Sequence, residues 1–195
     1  LKRENFDFQI VSKREVSYRN LQTGVFIYRI KKSWIKYMKK SLIFLTGFMG
    51  SWKSTIGPIL AEKIGYDFID LDELIENVEG QSIVDIFKEK GEIYFRNIER
   101  KILREMIFKL SKFVVALGGG TVTFENNLYL IKEIGILIYL KASPETLVQR
   151  IKFKMDRPLL LGPDGKILPE DILLERISTL LKIREPFYLQ SDFYI

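Results

Sequence analysis

The sequence contains no cysteine and no histidine among its 195 residues. The lack of cysteine excludes disulfides, thiolate nucleophiles and cysteine-based zinc sites, and it suits a reducing compartment. The lack of histidine removes the commonest general base and the commonest transition-metal ligand. Chemistry must therefore come from carboxylates, lysine, arginine, hydroxyl groups and a hard cation such as Mg²⁺, which prefers oxygen ligands. Phosphoryl transfer uses this set of groups.

Long apolar runs and a signal-peptide pattern are also missing. No stretch approaches the roughly 18 apolar residues that a membrane span needs. Because 47% of the residues are apolar, the chain can bury one good core. We therefore expect one main domain in a cytoplasmic protein that does not associate with a membrane.

The positive charge of the chain is confined to its first segment. Residues 1–40 hold 11 basic and 3 acidic residues, whereas residues 41–195 hold 20 basic and 22 acidic residues. Residues 1–37 lack clear periodicity over most of their length, and Met38 resembles a natural start. We expect residues 1–37 to be a basic extension outside the catalytic core and residues 38–195 to form the functional domain. Alternatively, the extension is a remnant of another domain, or an arm that binds nucleic acid or anionic membrane. We expect the core itself to bind no nucleic acid.

Residues 47–55 read Gly-Phe-Met-Gly-Ser-Trp-Lys-Ser-Thr. This matches the phosphate-binding loop G-x-x-x-x-G-K-[ST], except that Trp52 replaces the second glycine. In such a loop backbone N–H groups converge on the phosphates at a helix N-terminus. Lys53 would reach the β- and γ-phosphates, and the Ser54 hydroxyl would bind Mg²⁺. The residues predicted to contact ATP here are Gly50, Ser51, Trp52, Lys53, Ser54 and Thr55.

Trp52 conflicts with this motif. The glycine that normally stands there allows a backbone conformation that a bulky residue resists. A backbone displaced from the phosphates would lose hydrogen bonds to a charged group, each worth about 1.5–3 kcal/mol. We therefore expect Trp52 to lower the turnover rate, unless the loop is altered in some compensating way.

Apolar segments alternate with helical patterns from residue 41 onward. Strands are predicted at residues 41–46, 66–70, 113–117 and 136–140, with a fifth beginning at 191–195. Helices are predicted at 56–64, with Ile59, Leu60 and Ile64 on one face, around Leu74, at 144–154 and at 169–188. This order predicts an α/β fold with a parallel sheet and helices on both faces. The carboxyl ends of the first three strands would then bring residues 47–55, 70–72 and 118–120 together.

Two carboxylates, at residues 70 and 72, lie at the end of the second predicted strand. Residues two apart at the end of a strand project to the same side, so Asp70 and Asp72 could both face the phosphate site. One could hold Mg²⁺ while the other accepts a proton from an attacking hydroxyl. Either could instead cap the next helix. Gly118–Gly120 allow close approach of the backbone to a ligand, or form only a turn.

Taken together, these motifs resemble the shikimate kinases. The resemblance covers about residues 39–194, and beyond the loop and the acidic pair it rests on further ordered segments. These are Gly80-x-Ser-Ile-x-x-Ile-Phe87, Gly91-Glu-x-x-Phe-Arg96-x-x-Glu99, the triple glycine, Arg157-Pro-Leu-Leu160 and Arg184-x-x-x-Tyr188. The family implies transfer of the γ-phosphoryl of ATP to the 3-hydroxyl of shikimate. It also implies a five-stranded parallel sheet of order 2-3-1-4-5, and we expect a monomer.

The resemblance implies a role for each matching residue. Asp72 would activate the shikimate hydroxyl, and the shikimate pocket would be completed by Arg96, Gly119 and Arg184. Asp70 would order the Mg²⁺ shell with Ser54. Arg157 would close over ATP beside the catalytic Lys53, and Arg150 would pack on adenine.

The end of the sequence also departs from the family. The later adenine loop and terminal helix of the family are not present, so we expect the domain to be truncated at its C-terminal end. Two alternatives stay open: a catalytically impaired homologue that still binds shikimate, and another P-loop small-molecule kinase.

Overall fold

The computed structural model describes residues 41–151 and 168–195, together with the two-residue strand Val11–Ser12. Arg157, the surrounding segment and nearly all of the predicted basic extension lie outside the described residues. Within the described ranges, no helix combines the length and the apolar character needed to cross a membrane.

Five parallel strands form the sheet. They are β1 (Leu42–Thr46), β2 (Asp67–Asp70), β3 (Phe113–Ala116), β4 (Gly135–Tyr139) and β5 (Phe193–Tyr194). Their spatial order is β2-β3-β1-β4-β5, which confirms the predicted order 2-3-1-4-5. The strand Val11–Ser12 adds to the outer edge of β5 in the antiparallel direction.

Six helices connect or flank these strands in the described part of the chain. They are α1 (Lys53–Ile64), α2 (Leu71–Glu79), α3 (Ile83–Lys109), α4 (Asn127–Ile134), α5 (Pro144–Ile151) and α6 (Glu170–Tyr188). A 3₁₀ turn at Thr121–Thr123 follows the triple glycine. The sequence patterns predict neither α3 nor α4. The helical geometry of α3 breaks at Gly91, with φ 79° and ψ 170°.

The two faces of the sheet bury different side chains of the same strands. Phe44 and Val115 join the larger core beneath α2, α3 and α6, while Leu45 and Val114 join a small cluster under α1. Side chains of a strand alternate between faces, so strands covered on both sides consist of nearly continuous apolar runs. This explains why the strands could be recognised from the sequence.

The three apolar residues predicted to share one face of α1 are not equally buried, since only Leu60 packs against the small cluster. Ile59 is 45% exposed and Ile64 is 39% exposed, whereas Gly57 and Ala61 are buried. The ring of Phe68 occupies the space beside Gly57, because a Cβ added there would lie 2.1 Å from Phe68 Cε2. The helix therefore approaches the sheet most closely through its small residues, with Leu60 packed beside them.

Candidate active site

The loop between β1 and α1 keeps the backbone shape of a phosphate-binding loop. Gly47 and Gly50 have φ angles of 145° and 78°, and the Ser51 N–H donates to the Phe48 carbonyl at 3.2 Å. A Cβ added at Gly47 would lie 2.7 Å from the Leu140 carbonyl oxygen, so only glycine fits there. Residues 47–55 thus lie at the carboxyl end of β1 and lead directly into the N-terminus of α1.

Trp52 adopts the left-handed conformation that glycine would take, with φ 67° and ψ 25°. Its carbonyl accepts hydrogen bonds from the N–H groups of Thr55 at 3.1 Å and Ile56 at 2.8 Å, which start α1. The loop therefore accommodates tryptophan at this position in the left-handed conformation. The substitution places a bulky residue in a conformation that costs roughly 1–2 kcal/mol.

The Trp52 ring stacks on Arg150. The guanidinium carbon of Arg150 lies 3.7 Å from the ring centroid, and its Nη1 donates to the Gly50 carbonyl at 3.2 Å. Burial lowers the pKa of Arg150 below its usual value. A cation–π contact of this kind is worth about 0.5–2 kcal/mol, which is comparable to the conformational cost at Trp52. Arg150, predicted to pack on adenine, thus contacts an aromatic ring of its own chain.

Lys53 lies across the phosphate loop and is almost fully buried. Its Nζ donates to the carbonyls of Gly47 at 2.9 Å and Phe48 at 3.0 Å. The ammonium group is therefore held over the concave side of the loop, within the span that phosphate oxygens would occupy.

Ser54 and Asp70 are hydrogen-bonded to each other. Ser54 Oγ lies 2.5 Å from Asp70 Oδ2, while Asp70 Oδ1 accepts from the N–H of Asp72 at 3.0 Å and caps α2. The two side chains predicted to serve Mg²⁺ are thus adjacent. The described residues contain no group of three or more acidic side chains suited to a metal ion. A pair of hard oxygen donors fits Mg²⁺, which keeps several waters and takes its other ligands from phosphates.

Asp70 and Asp72 do not share one side of a strand, so the prediction from strand alternation is wrong. The strand ends at Asp70 and α2 begins at Leu71, so Asp72 lies in the first helical turn. Asp72 consequently points toward the triple glycine rather than alongside Asp70. A Cβ added at Gly118 would lie 2.9 Å from Asp72 Oδ1.

Each glycine of the triple glycine lies next to at least one ionic side chain. An added Cβ would lie 2.6 Å from Glu99 Oε1 at Gly118, 3.6 Å from Arg184 Nη1 at Gly119 and 2.4 Å from Arg96 Nη2 at Gly120. The Cβ added at Gly119 would also lie 3.5 Å from the backbone nitrogen of Met49 in the phosphate loop. The loop after β3 therefore brings Asp72, Arg96 and Arg184 to the side of the phosphate loop.

Glu99 has a part in this site that the sequence did not indicate. It is fully buried, binds Arg96 through Nη1–Oε2 at 2.7 Å and accepts from the Thr121 hydroxyl at 2.5 Å. Burial raises the pKa of Glu99, against the opposing effects of Arg96 and Thr121, which favour the carboxylate. Burial also acts to lower the pKa of Arg96, but Glu99 and Glu92 outweigh it and raise that pKa. The available signal was spacing, since Glu99 follows Arg96 by one helical turn.

Tyr188 is a second residue without a predicted role. Its hydroxyl donates to the Gly119 carbonyl, and its ring packs on Tyr139 at a centroid distance of 5.0 Å. Burial raises the pKa of Tyr188 to about 12, with Arg184 and Arg96 acting in the opposite direction. The side chain therefore fixes the central glycine from beneath.

A cavity of about 240 Å³ opens between these elements. Its lining consists of Glu92, Ile93, Arg96, Thr123, Phe124 and Arg184. The guanidinium of Arg184 also lies 5.5 Å from the centroid of the Phe48 ring in the phosphate loop. Two guanidiniums facing one cavity can present paired N–H donors to a carboxylate.

The fold and the site together define a P-loop kinase that acts on a small molecule. A family model described as shikimate kinase matches residues 49–195. The shikimate kinase of Chlorobaculum tepidum is 53% identical over 152 residues, which cover 78% of this chain and 79% of that protein. The shikimate kinase of Chlorobium limicola is 51% identical over 152 residues, covering 78% and 76% of the two chains.

Solved structures give the same result. The shikimate kinase of Bacteroides thetaiotaomicron superposes with a TM-score of 0.72 at 36% identity, covering 79% of this chain and 84% of that chain. The Acinetobacter baumannii shikimate kinase in complex with shikimate gives 0.70 at 35% identity, covering 79% and 81%. The chain belongs to the shikimate kinase family. The open alternative of a different P-loop small-molecule kinase is thereby wrong.

Proposed function

We propose that this chain transfers the γ-phosphoryl group of ATP to the 3-hydroxyl of shikimate, giving shikimate 3-phosphate and ADP. The observation that supports this most directly is the placement of Arg96 and Arg184 on one cavity beside the phosphate loop. A carboxylate-bearing polyol needs such a pair of guanidiniums, whereas a neutral acceptor does not. Membership of the shikimate kinase family identifies that polyol as shikimate.

The reaction assigns one step to each side chain. Asp72 accepts the proton of the attacking hydroxyl as the new O–P bond forms and the bond to the β-phosphate oxygen breaks. Lys53 exchanges its loop carbonyls for the phosphate oxygens and balances their charge. Arg96 and Arg184 hold the acceptor carboxylate, and Gly119 leaves room for the acceptor next to the loop.

Magnesium belongs to the proposal as the partner of ATP. Ser54 and Asp70 would hold the ion, which neutralises charge on the phosphate oxygens when it is bound. The predicted role of Arg157 in closing over ATP, the division at residue 38 and the monomeric, cytoplasmic state remain predictions.

A coupled assay of ADP formation tests the reaction. We expect turnover that requires Mg²⁺, ATP and shikimate together, and a loss of roughly 10²-fold or more in Asp72→Asn, which removes the proton acceptor but keeps the size of the side chain. ATP turnover that does not depend on shikimate would contradict the proposed function.

A second candidate is a homologue that binds shikimate but is catalytically impaired. The strained left-handed Trp52 favours it, because the residue lies within the phosphate loop itself. Calorimetric titration separates the two functions: the impaired homologue binds shikimate with no detectable binding of ATP, whereas the active enzyme binds both.

A further inference from the structure

The Trp52–Arg150 stack has no counterpart in the phosphate-loop motif, because glycine at position 52 would leave Arg150 without an aromatic partner. The stack consists of the Trp52 indole and the Arg150 guanidinium at 3.7 Å. Arg150 is fixed from a second direction by its hydrogen bond to the Gly50 carbonyl at 3.2 Å. Both side chains are half-buried, so each keeps part of its surface open to solvent.

The position of the stack along the phosphate loop follows from the neighbours of the loop. Gly47 and Met49 border Gly119 and Arg184, and so they form the flank next to the acceptor cavity. Gly50 packs against α5 instead, since a Cβ added there would lie 2.6 Å from Ile151 Cγ2. The transferred γ-phosphoryl must lie at the acceptor flank. The nucleoside therefore leaves the loop on the other flank, where Gly50 and Trp52 contact α5.

We propose that the Trp52 indole, held in place by Arg150, is a nucleobase-binding surface of the ATP site. This inference rests on the proposed function for the direction in which ATP lies. An indole stacks on a base because every base offers a flat π face, and a guanidinium behind the indole keeps the ring from rotating away. Trp52 thus adds a contact to the base, in addition to the backbone contacts that a phosphate-binding loop would make with phosphate.

The experiment compares Mg·ATP with Mg·tripolyphosphate, which has the phosphates but no base. Dissociation constants are measured by calorimetry for the wild type, Trp52→Gly and Trp52→Phe, without shikimate. We expect Trp52→Gly to weaken ATP binding about 5- to 100-fold, equivalent to about 1–3 kcal/mol for one stacked base, and to leave tripolyphosphate binding unchanged. Trp52→Phe should retain part of the difference. Because glycine relieves the left-handed strain but loses the contact with Arg150, the Trp52→Gly protein should fold about as well as the wild type.

Three results would overturn the inference. Equal weakening of both ligands in Trp52→Gly would assign the effect to the loop backbone, and tighter ATP binding would mean that the indole blocks the base. An ATP affinity unaffected by either substitution would show that the base does not touch Trp52, and it would leave the proposed function intact. Failure of the wild type to bind either ligand would count against both.

Fluorescence provides an independent measurement, because the chain has only two tryptophans. Trp34→Phe leaves Trp52 as the single reporter. We expect Mg·ATP to change its emission and Mg·tripolyphosphate to leave it nearly unchanged. Identical changes with both ligands would contradict a contact between the indole and the base.

Discussion

Arg96 and Glu99 form a buried ion pair at the wall of the acceptor cavity. Arg96 Nη1 lies 2.7 Å from Glu99 Oε2, and the two side chains are 12% and 0% exposed. Arg96 reaches the cavity from this pair, with Gly120 packed directly against its guanidinium. The orientation of the Arg96 guanidinium at the cavity therefore depends on Glu99.

Glu99→Gln tests this dependence. The amide keeps the shape of the side chain but removes the charge that orients Arg96. We expect the KM for shikimate to rise roughly tenfold or more and the free energy of unfolding to fall by about 1–3 kcal/mol. Steady-state kinetics and urea unfolding measure the two effects.

Glu92→Gln is the matched control for stability. Glu92 also pairs with Arg96, but at 3.5 Å and with a side chain that is 63% exposed. Exposed ion pairs contribute about 0–1 kcal/mol. If Glu92→Gln destabilised the protein as much as Glu99→Gln, burial would not explain the importance of Glu99.

Asp70→Asn separates metal binding from helix capping. Asparagine caps helices about as well as aspartate, so the hydrogen bond from the Asp72 N–H should persist and the melting temperature should stay nearly unchanged. Without the charge we expect the Mg²⁺ concentration for half-maximal activity to rise about tenfold. Ser54→Ala should shift it in the same direction, and EDTA should abolish the activity. An unaltered Mg²⁺ dependence in both variants would exclude this pair as the metal site.

Gly119→Ala and Gly120→Ala add the same methyl group to neighbouring positions with different surroundings. At Gly120 the methyl would lie 2.4 Å from Arg96 Nη2, whereas at Gly119 its nearest neighbour is 3.5 Å away. We expect Gly120→Ala to displace Arg96, raise the KM for shikimate and lower stability by about 1–3 kcal/mol. Gly119→Ala should fold normally and affect kinetics only. Equal melting temperatures for the two variants would contradict this assignment.

The raised pKa of Tyr188 predicts how the free energy of unfolding changes at alkaline pH. Its pKa is raised from 10.0 to about 12, so the fold favours the protonated hydroxyl. The stability gained from this group is fully present below about pH 10 and is lost as the pH rises through about 12. Two pKa units correspond to about 3 kcal/mol.

Urea unfolding across that pH range should show a smaller loss of stability for Tyr188→Phe than for the wild type. Tyr129→Phe serves as the control, because it removes the same hydroxyl group from a tyrosine that is 73% exposed. A pH dependence that is the same in the wild type and in Tyr188→Phe would argue against this interpretation.

The strands and their order could be predicted from the sequence because their signals are local and strong. Buried parallel strands are short apolar runs, and each of the first four predicted strands matches the structure to within one or two residues at either end. The polar loops could be placed together because parallel strands end at one edge of the sheet. The helices α3 and α4 were not predicted, and the helical geometry of α3 breaks at Gly91.

Side-chain partners could not be predicted, because they depend on contacts between distant parts of the chain. The sequence identified the conflict at Trp52, but the residue that stacks on it comes from α5, 98 positions later along the chain. Periodicity placed Ile59, Leu60 and Ile64 on one face of α1, but it could not show that the helix packs on Phe68 through Gly57. Glu99 stood in a recognised motif, but only its burial gives it a role.

The hydrogen bonds of Lys53 order its side chain before a nucleotide binds. Its ammonium group bridges the carbonyls of Gly47 and Phe48, at 2.9 Å and 3.0 Å. The entropy of ordering this long side chain is therefore lost during folding and not during association with ATP. Binding exchanges carbonyl acceptors for phosphate acceptors within a preformed loop. Encounter with the nucleotide should accordingly need no slow rearrangement of the loop.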